Sequence, residues 1–278
     1  MDTFLLDNLL RRFLAEDLEH GDITTESIFA PTDQARAGFI ARHPMTVVGM
    51  ATVATRVFQL LDPSVRCTGA VPDATRVETG ATLLTLEGLT RTLLRGERVA
   101  LNLAQRLCGV ATLTSAFLDR VSHTGARIVD TRKTTPGLRL LEKYAVRAAG
   151  GRNHRYSLSD GVLIKDNHIA ACGSITEAVR RVRLRAPHTI NVEVETDTLA
   201  QVEECLACGV RVILLDNMDP ATLRQAVALV DGRAICEASG GVNLDTVRAI
   251  AESGVDIISV GALTHSARSC DIGMDWRG

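Results

Sequence analysis

Ten side chains able to recognise an anion fall within one stretch, DTRKTTPGLRLLEKYAVRAAGGRNHRYSLSDGVLIKDNH. They are Arg132, Lys133, Arg139, Lys143, Arg147, Arg152, His154, Arg155, Lys165 and His168. Converging cations need an anion, and paired guanidiniums fit carboxylate or phosphate oxygens bidentately. A solvated helix face accounts for Arg139, Lys143 and Arg147 on LRLLEKYAVR. It does not account for Arg132 and Lys133 at the end of one apolar run, or Lys165 at the end of the next. Farther along, Glu195 and Asp216 close two more such runs. They are hard oxygen ligands, suited to a magnesium carried in on a pyrophosphate. Glu193 alternates with Glu195 and can face the same way; Glu195 is the preferred candidate. Small residues at Gly150–Gly151 and Ser239–Gly240–Gly241 let backbone N–H groups approach a phosphate. The chemistry expected is recognition of a phosphorylated polyanion. No Ser-His-Asp arrangement or zinc-ligand spacing is present.

The lysines sharpen this. The chain has 28 Arg but only three Lys, at 133, 143 and 165. Arginine serves wherever any cation is enough. The surviving lysines share one 33-residue window, and at least two are expected where a compact ammonium is required.

The elements that must position these residues follow from periodicity. β-branched apolar runs occur at Ala126–Arg132, Gly161–Asn167, Thr189–Glu195, Val210–Asn217, Arg233–Gly240 and Val255–Gly261. Helical patterns such as ITEAVRRVRLRA, LAQVEECLACG, PATLRQAVALV and LDTVRAIAESG separate most of them. The later runs start 21, 23 and 22 residues apart, the length of one βα unit. This predicts a parallel sheet covered on its faces. Six units are fewer than the usual eight, so an open barrel is as compatible as a closed one. In a parallel barrel all C-terminal strand ends share one rim, where active sites form. Every candidate above sits at such an end or in the loop after it. Before the barrel, residues 33–90 are expected to alternate short strands with turns. Their second half resembles the sandwich of biotin and lipoyl carriers, but no lysine precedes residue 133, which excludes a lysine-modified carrier there. Leu6, Leu9, Leu10 and Phe13 mark an N-terminal amphipathic helix, and Thr90 to about Ser122 a long one.

Composition excludes several classes. Thirty-one basic against 33 acidic residues leave no basic excess for nucleic acid. Only 3% are aromatic, which weakens any stacking-platform reading. No apolar run is long enough for a membrane span, and the N-terminus lacks a signal's basic region. Seven cysteines, an odd number without a secretory signal, argue for packed thiols in a cytoplasmic protein rather than a disulfide framework. Cys205 and Cys208 form a CxxC on a helical stretch with no partner motif.

The motifs DTRKTTPGLR, LEKYAV, NHR, LIKDNH, VEVE, LDNM, EASGG and SVGALTH, in this order, resemble the quinolinate phosphoribosyltransferases. EDLEHGDITT near the N-terminus and ERVALN at 97–102 match as well. The resemblance covers essentially the whole chain. It implies an N-terminal α/β sandwich (1–115, joined by the tail 266–278) and an open six-to-seven-stranded α/β barrel (116–265). It also implies transfer of phosphoribose from phosphoribosyl pyrophosphate to quinolinate with decarboxylation, in NAD biosynthesis. Magnesium would be needed and no prosthetic group. By motif, Arg132, Lys133, His154, Arg155 and Lys165 should hold the quinolinate carboxylates, with Thr131 beside them. Arg98 should reach in from a partner subunit of a homodimer or hexamer. Glu195 and Asp216 should face the ribose and the magnesium. Ser239–Gly241 and Val260–Gly261–Ala262 should cradle the 5′-phosphate, with His265 close by. The chemistry should rest on Lys133, Lys165, Glu195 and Asp216. Ala148–Ala149 and Ser157 depart from the family's glycines and touch loop detail only. The alternatives are a ModD-type relative of uncertain substrate, a Schiff-base aldolase using a barrel-end lysine, and an anion-binding barrel without catalysis.

Overall fold

The computed structural model describes residues 1–277. It contains two compact units, residues 1–113 with 267–277, and residues 114–266.

In the first unit, α1 (Thr3–Leu18) starts where the Asp2 carboxylate accepts from Leu5 N–H, and it buries Leu6, Leu10 and Leu14 along one stripe. Leu9 and Phe13 are half-buried at its flanks. After α2 (Ile23–Ile28) come β1 (Gln34–Ala41), β2 (Met45–Val47), α3 (Thr55–Leu61), β3 (Arg66–Thr68), β4 (Thr75–Val77) and β5 (Thr82–Leu89). A strand from the other end of the chain, β12 (Ile272–Arg277), joins them, and the main sheet is antiparallel with order β12–β1–β5–β3. β2 and β4 form a separate pair.

The expectation of strands and turns throughout 33–90 fails at residues 50–61. A π-helical turn, Met50–Ala54, runs directly into α3. Met50, Val53, Ala54, Val57 and Phe58 are all fully buried. Their three-and-four spacing puts them on one helical face, a pattern hidden between the more obvious strands. α4 (Thr90–Val121) is the long helix expected.

The second unit carries β6 (Arg127–Val129), α5 (Arg139–Ala148), β7 (Val162–Ile164), α6 (Asp166–Cys172), α7 (Ile175–Arg185) and β8 (Val192–Thr196). It continues with α8 (Leu199–Ala207), β9 (Val212–Asp216), α9 (Pro220–Val230), β10 (Ile235–Ser239), α10 (Val247–Ala251), β11 (Ile257–Ser259) and α11 (Ala262–His265). All six expected strands exist. They form one parallel sheet, β6–β11–β10–β9–β8–β7. β6 and β7 do not pair among the described residues, so this is an open barrel. The free side of β6 carries a single bridge, Val129 to Arg152. The loop after Arg152 therefore occupies the seam where another strand would close the barrel.

Polar residues begin the helices that alternate with the strands. Ser174, Thr198 and Asp219 cap α7, α8 and α9 by accepting the backbone N–H three residues on, each a cap worth about 1 kcal/mol. All seven cysteines are free thiols. Burial pushes Cys205 up to about 12, which makes it an inert packing residue. No helix among the described residues is long and apolar enough to cross a membrane.

Candidate active site

At the C-terminal ends of the strands lies a cavity of about 540 Å³. Its lining includes Thr131, Arg132 and Lys133 after β6; His154 and Arg155 from the seam loop; Lys165 after β7; and Glu195 of β8. Asp216 and Asn217 at the end of β9, Glu237 and Ser239 of β10, and Gly240 and Gly241 after it complete the polar wall. Eleven of the expected site residues thus meet in one cavity. Val260, Gly261, Ala262 and His265 are not in its lining, and of these Gly261 and His265 lie beside Lys133 at its edge. A Cβ on Gly261 would come within 3.0 Å of Lys133 Cδ and 3.1 Å of His265 Nε2. The Thr264 hydroxyl donates to the Lys133 carbonyl at 2.8 Å. Arg98 lies on α4 in the first unit, exposed.

Two lysine–carboxylate pairs have opposite characters. Lys165 Nζ donates to Glu195 Oε2 at 2.8 Å with the lysine half-exposed, so an anion can compete for it. Backbone geometry steadies this lysine, since His168 Nδ1 accepts from Lys165 N–H at 2.9 Å. His168 is therefore the structural residue of this strand end. Lys143 corrects the expectation of a solvated face: it is fully buried and ion-paired with the fully buried Asp130. Burial pushes the Asp130 carboxyl up and the Lys143 ammonium down. Each has a full set of partners in compensation. Asp130 also accepts from His154 N–H at 2.9 Å and from the Asn153 amide. Lys143 also donates to the His154 carbonyl at 2.8 Å and sits 5.1 Å over the Tyr156 ring. The pair nails the Asn153–Arg155 segment to the barrel. Arg139 is a second correction: it donates to the Thr134 hydroxyl at 2.9 Å and to the Tyr156 carbonyl at 3.0 Å, tying two loops together. Arg147 alone is exposed as expected.

Arg132 and Arg155 lie close enough that, after burial, Arg132 is the next cause lowering the Arg155 pKa. Two like charges held together this way await an anion. Arg155 is aimed by a bond from Nη1 to the Gly161 carbonyl at 2.8 Å. A buried Arg132 Nε has no hydrogen-bond partner.

Opposite the cations, Asn217 was not foreseen. It adopts φ +53°, the left-handed region where Asn is among the few tolerated residues. Its amide donates to Asp216 Oδ2 at 2.6 Å and its N–H to the Ser239 carbonyl at 2.9 Å. It thereby links the two strand ends. Gly240, at φ +90°, packs so tightly on Asn217 that any Cβ would collide with that side chain. The bare backbone there is a structural requirement as well as an opening toward the cavity.

The floor holds Glu237, which was not among the candidates, together with Glu193, which was kept as the alternative to Glu195. Glu193 and Glu195 both turn inward, as alternation allows, but to different partners. Glu193 Oε2 is 3.1 Å from His154 Nε2, and Glu237 Oε1 is 3.5 Å from the same nitrogen. These three residues could in principle hold a metal ion. The ring's hydrogen bonding argues against it. His154 Nδ1 accepts from Arg155 N–H at 2.8 Å, so Nε2 carries the proton and offers no lone pair to a metal. Burial opposes the His154 charge, yet Glu193 and Glu237 outweigh it and raise its pKa. A second proton would have to enter at Nδ1, displacing the Arg155 N–H.

A profile described as the quinolinate phosphoribosyl transferase N-terminal domain matches residues 22–108, and one described as its C-terminal domain matches residues 110–275. A probable nicotinate-nucleotide pyrophosphorylase [carboxylating] of Bacillus subtilis is 45% identical over 99% of this chain and 94% of its own length. The corresponding protein of Mycobacterium leprae is 44% identical over 96% and 95%. Among solved structures, NadC from Streptococcus pyogenes superposes with a TM-score of 0.95 at 41% identity, covering 100% of this chain and 99% of that one. With both domain profiles matched, and with the cations, the carboxylates and the glycine turn gathered in one cavity of the second unit, this chain belongs to the quinolinate phosphoribosyltransferase family.

Proposed function

We propose that the chain transfers phosphoribose from phosphoribosyl pyrophosphate to quinolinate and decarboxylates it, giving nicotinate mononucleotide, pyrophosphate and carbon dioxide. The observation that carries this reading is the single cavity in which four cations face two rim carboxylates and a glycine turn. Arg132, Lys133, Arg155 and Lys165 would hold the two ring carboxylates, which suit paired guanidiniums and compact ammoniums. His154 was expected among them, but both its ring nitrogens are engaged within the protein. Its service is to hold that corner in place, with Thr131 steadying Lys133 N–H at 3.0 Å. Ser239–Gly241 would offer backbone N–H groups to the 5′-phosphate, with Val260–Ala262 and His265 alongside.

Glu195 and Asp216 would face the ribose hydroxyls and a magnesium ion. Both are hard oxygen donors on adjacent strands of one rim, which fits magnesium held largely by phosphates and water. That ion would take up charge on the departing pyrophosphate. The protein's part is to align the pyridine nitrogen with the anomeric carbon and to exclude water. Once the nitrogen is quaternary, the adjacent carboxylate can leave as carbon dioxide with its electron pair held next to a positive charge.

Arg98 would complete the site from a second copy of the chain in a homodimer or hexamer. Mixing inactive Arg98→Ala and Lys133→Ala chains should then restore part of the activity; no restoration would confine each site to one chain. A cytoplasmic location accords with the seven free thiols.

The assay that tests the reaction follows nucleotide and carbon dioxide together, with quinolinate or nicotinate as acceptor, phosphoribosyl pyrophosphate and Mg²⁺. Equal yields from quinolinate alone are expected. No turnover with either acid would return the protein to the ModD-type alternative.

A further inference from the structure

The floor of the cavity is not used by the phosphoribosyl transfer itself. Glu237 of β10 lines it and is 3% exposed; Glu193 of β8 is 8% exposed. Two carboxylates this close and this dry do not both ionise, so one keeps a proton. The contacts decide which. Glu193 receives the one hydrogen that His154 can give, at 3.1 Å, and Arg155 attracts its charge. Glu237 receives only the neutral Ser259 hydroxyl; its Oε1 is buried without a hydrogen-bond partner, as is the Oε1 of Glu193. The polar groups facing it are Glu193 from β8, His154 from the seam loop and the Ser259 hydroxyl from β11. Its neighbour on β9 is Leu214, which is apolar. A neutral carboxylic acid therefore lies in the wall of a pocket built to take a dianion.

We propose that Glu237 is the acid that protonates the pyridine ring carbon vacated by carbon dioxide, with Glu193 and His154 positioning it. The step rests on the quinolinate reading. The bond from C2 to its carboxylate breaks, carbon dioxide leaves, and the electron pair stays on C2. The Glu237 O–H bond breaks, and its proton forms the new C2–H bond. Glu237 is left as a carboxylate and regains a proton from water when the product departs. Burial, then the charge of Glu193, pushes Glu237 up to about 7, where an acid is both present and able to give up its proton near neutral pH.

The test is steady-state kinetics of the full-length protein across pH 5.5–9, comparing wild type with Glu237→Gln. The expected result is a fall in kcat of roughly 10²–10⁴-fold, with KM for quinolinate within about threefold. Wild-type kcat should decline above about pH 7, and the residual activity of the variant should lack that decline. A variant with wild-type kcat, or one whose loss lies in KM alone, would overturn the proposal. If Glu237→Gln does not fold, Glu237→Asp takes its place. It retains an acid and should keep the alkaline decline at lower kcat; a pH-independent kcat would count against Glu237. Wild-type protein that folds but never turns over quinolinate would overturn the functional reading, and this step with it.

Discussion

The two ends of the same parallel sheet make an instructive pair. At the strand starts a cavity of about 610 Å³ is lined by Asn191, Arg211, Arg233, Ile235 and Asp256. It is somewhat larger than the 540 Å³ cavity at the strand ends, and it too is polar. What differs is how the charges are used. Arg233 gives its hydrogens to the Val230 and Leu229 carbonyls at the end of α9. Asp256 accepts from Cys236 N–H. Those groups finish the backbone. At the other end, Arg132 and Lys133 line the cavity beside Arg155, Lys165 is held only by the rim carboxylate of Glu195, and an acid lies buried beneath them. Volume does not separate a working site from a seam in the packing; unsatisfied, converging charge does.

The contrast can be tested by substitutions of decreasing expected effect. Lys143→Met should cost the most, about 3–5 kcal/mol of unfolding free energy, because it strands the buried Asp130. Urea unfolding would show this, and a loss below about 1 kcal/mol would mean that Asp130 is neutral in the folded protein. Lys133→Ala or Arg155→Ala should weaken quinolinate by about 1.5–3 kcal/mol while leaving phosphoribosyl pyrophosphate nearly untouched. Equal losses for both ligands, measured by calorimetry, would show the pocket to be assigned the wrong way round.

Glu237→Gln should stabilise the fold, and only at high pH. The folded protein holds the Glu237 proton up to about pH 7, against an ordinary 4.5. Stability is therefore fully present below pH 4.5 and declines as pH rises through 7. Removing the acid should recover up to about 2–3 kcal/mol at pH 8 and nothing at pH 4.5. Melting curves at the two pH values decide it. The smallest effect belongs to the other end of the barrel. Arg211→Ala should change neither stability nor turnover by more than about 0.5 kcal/mol. A larger loss of activity would make that cavity a second functional site.

Much of this was legible in the residue pattern, for a physical reason. Strands of a covered parallel sheet must be apolar, so a run such as VILLD announces both the strand and the polar end that follows. The rim residues come with it. The rest depends on which partner a side chain meets in space. Nothing in LEKYAV distinguishes Lys143 from an exposed lysine until Asp130, thirteen residues earlier, is placed against it. Glu237 likewise looks like any strand carboxylate until β8 brings Glu193 beside it. The helical residues 50–61 were missed because their buried face, Met50 to Phe58, sits between strands with stronger signals. His154 was assigned to the ligand by motif. Only its hydrogen bonds show that the protein has already taken both nitrogens.

The pairing of β12 with β1 carries a consequence for biosynthesis. The sheet of the first unit needs residues 272–277, the last part of the described chain to leave the ribosome. All strands of the second unit are made before them. At ordinary synthesis rates of about 5–20 residues per second, β1 waits for its outer neighbour for roughly 10–45 seconds after its own residues emerge. During that interval one edge of the strand GFIA is unpaired, an apolar template of the kind that invites intermolecular association. Vectorial folding of this protein should therefore complete its second unit first, and a stalled chain that lacks β12 should be the species that chaperones hold.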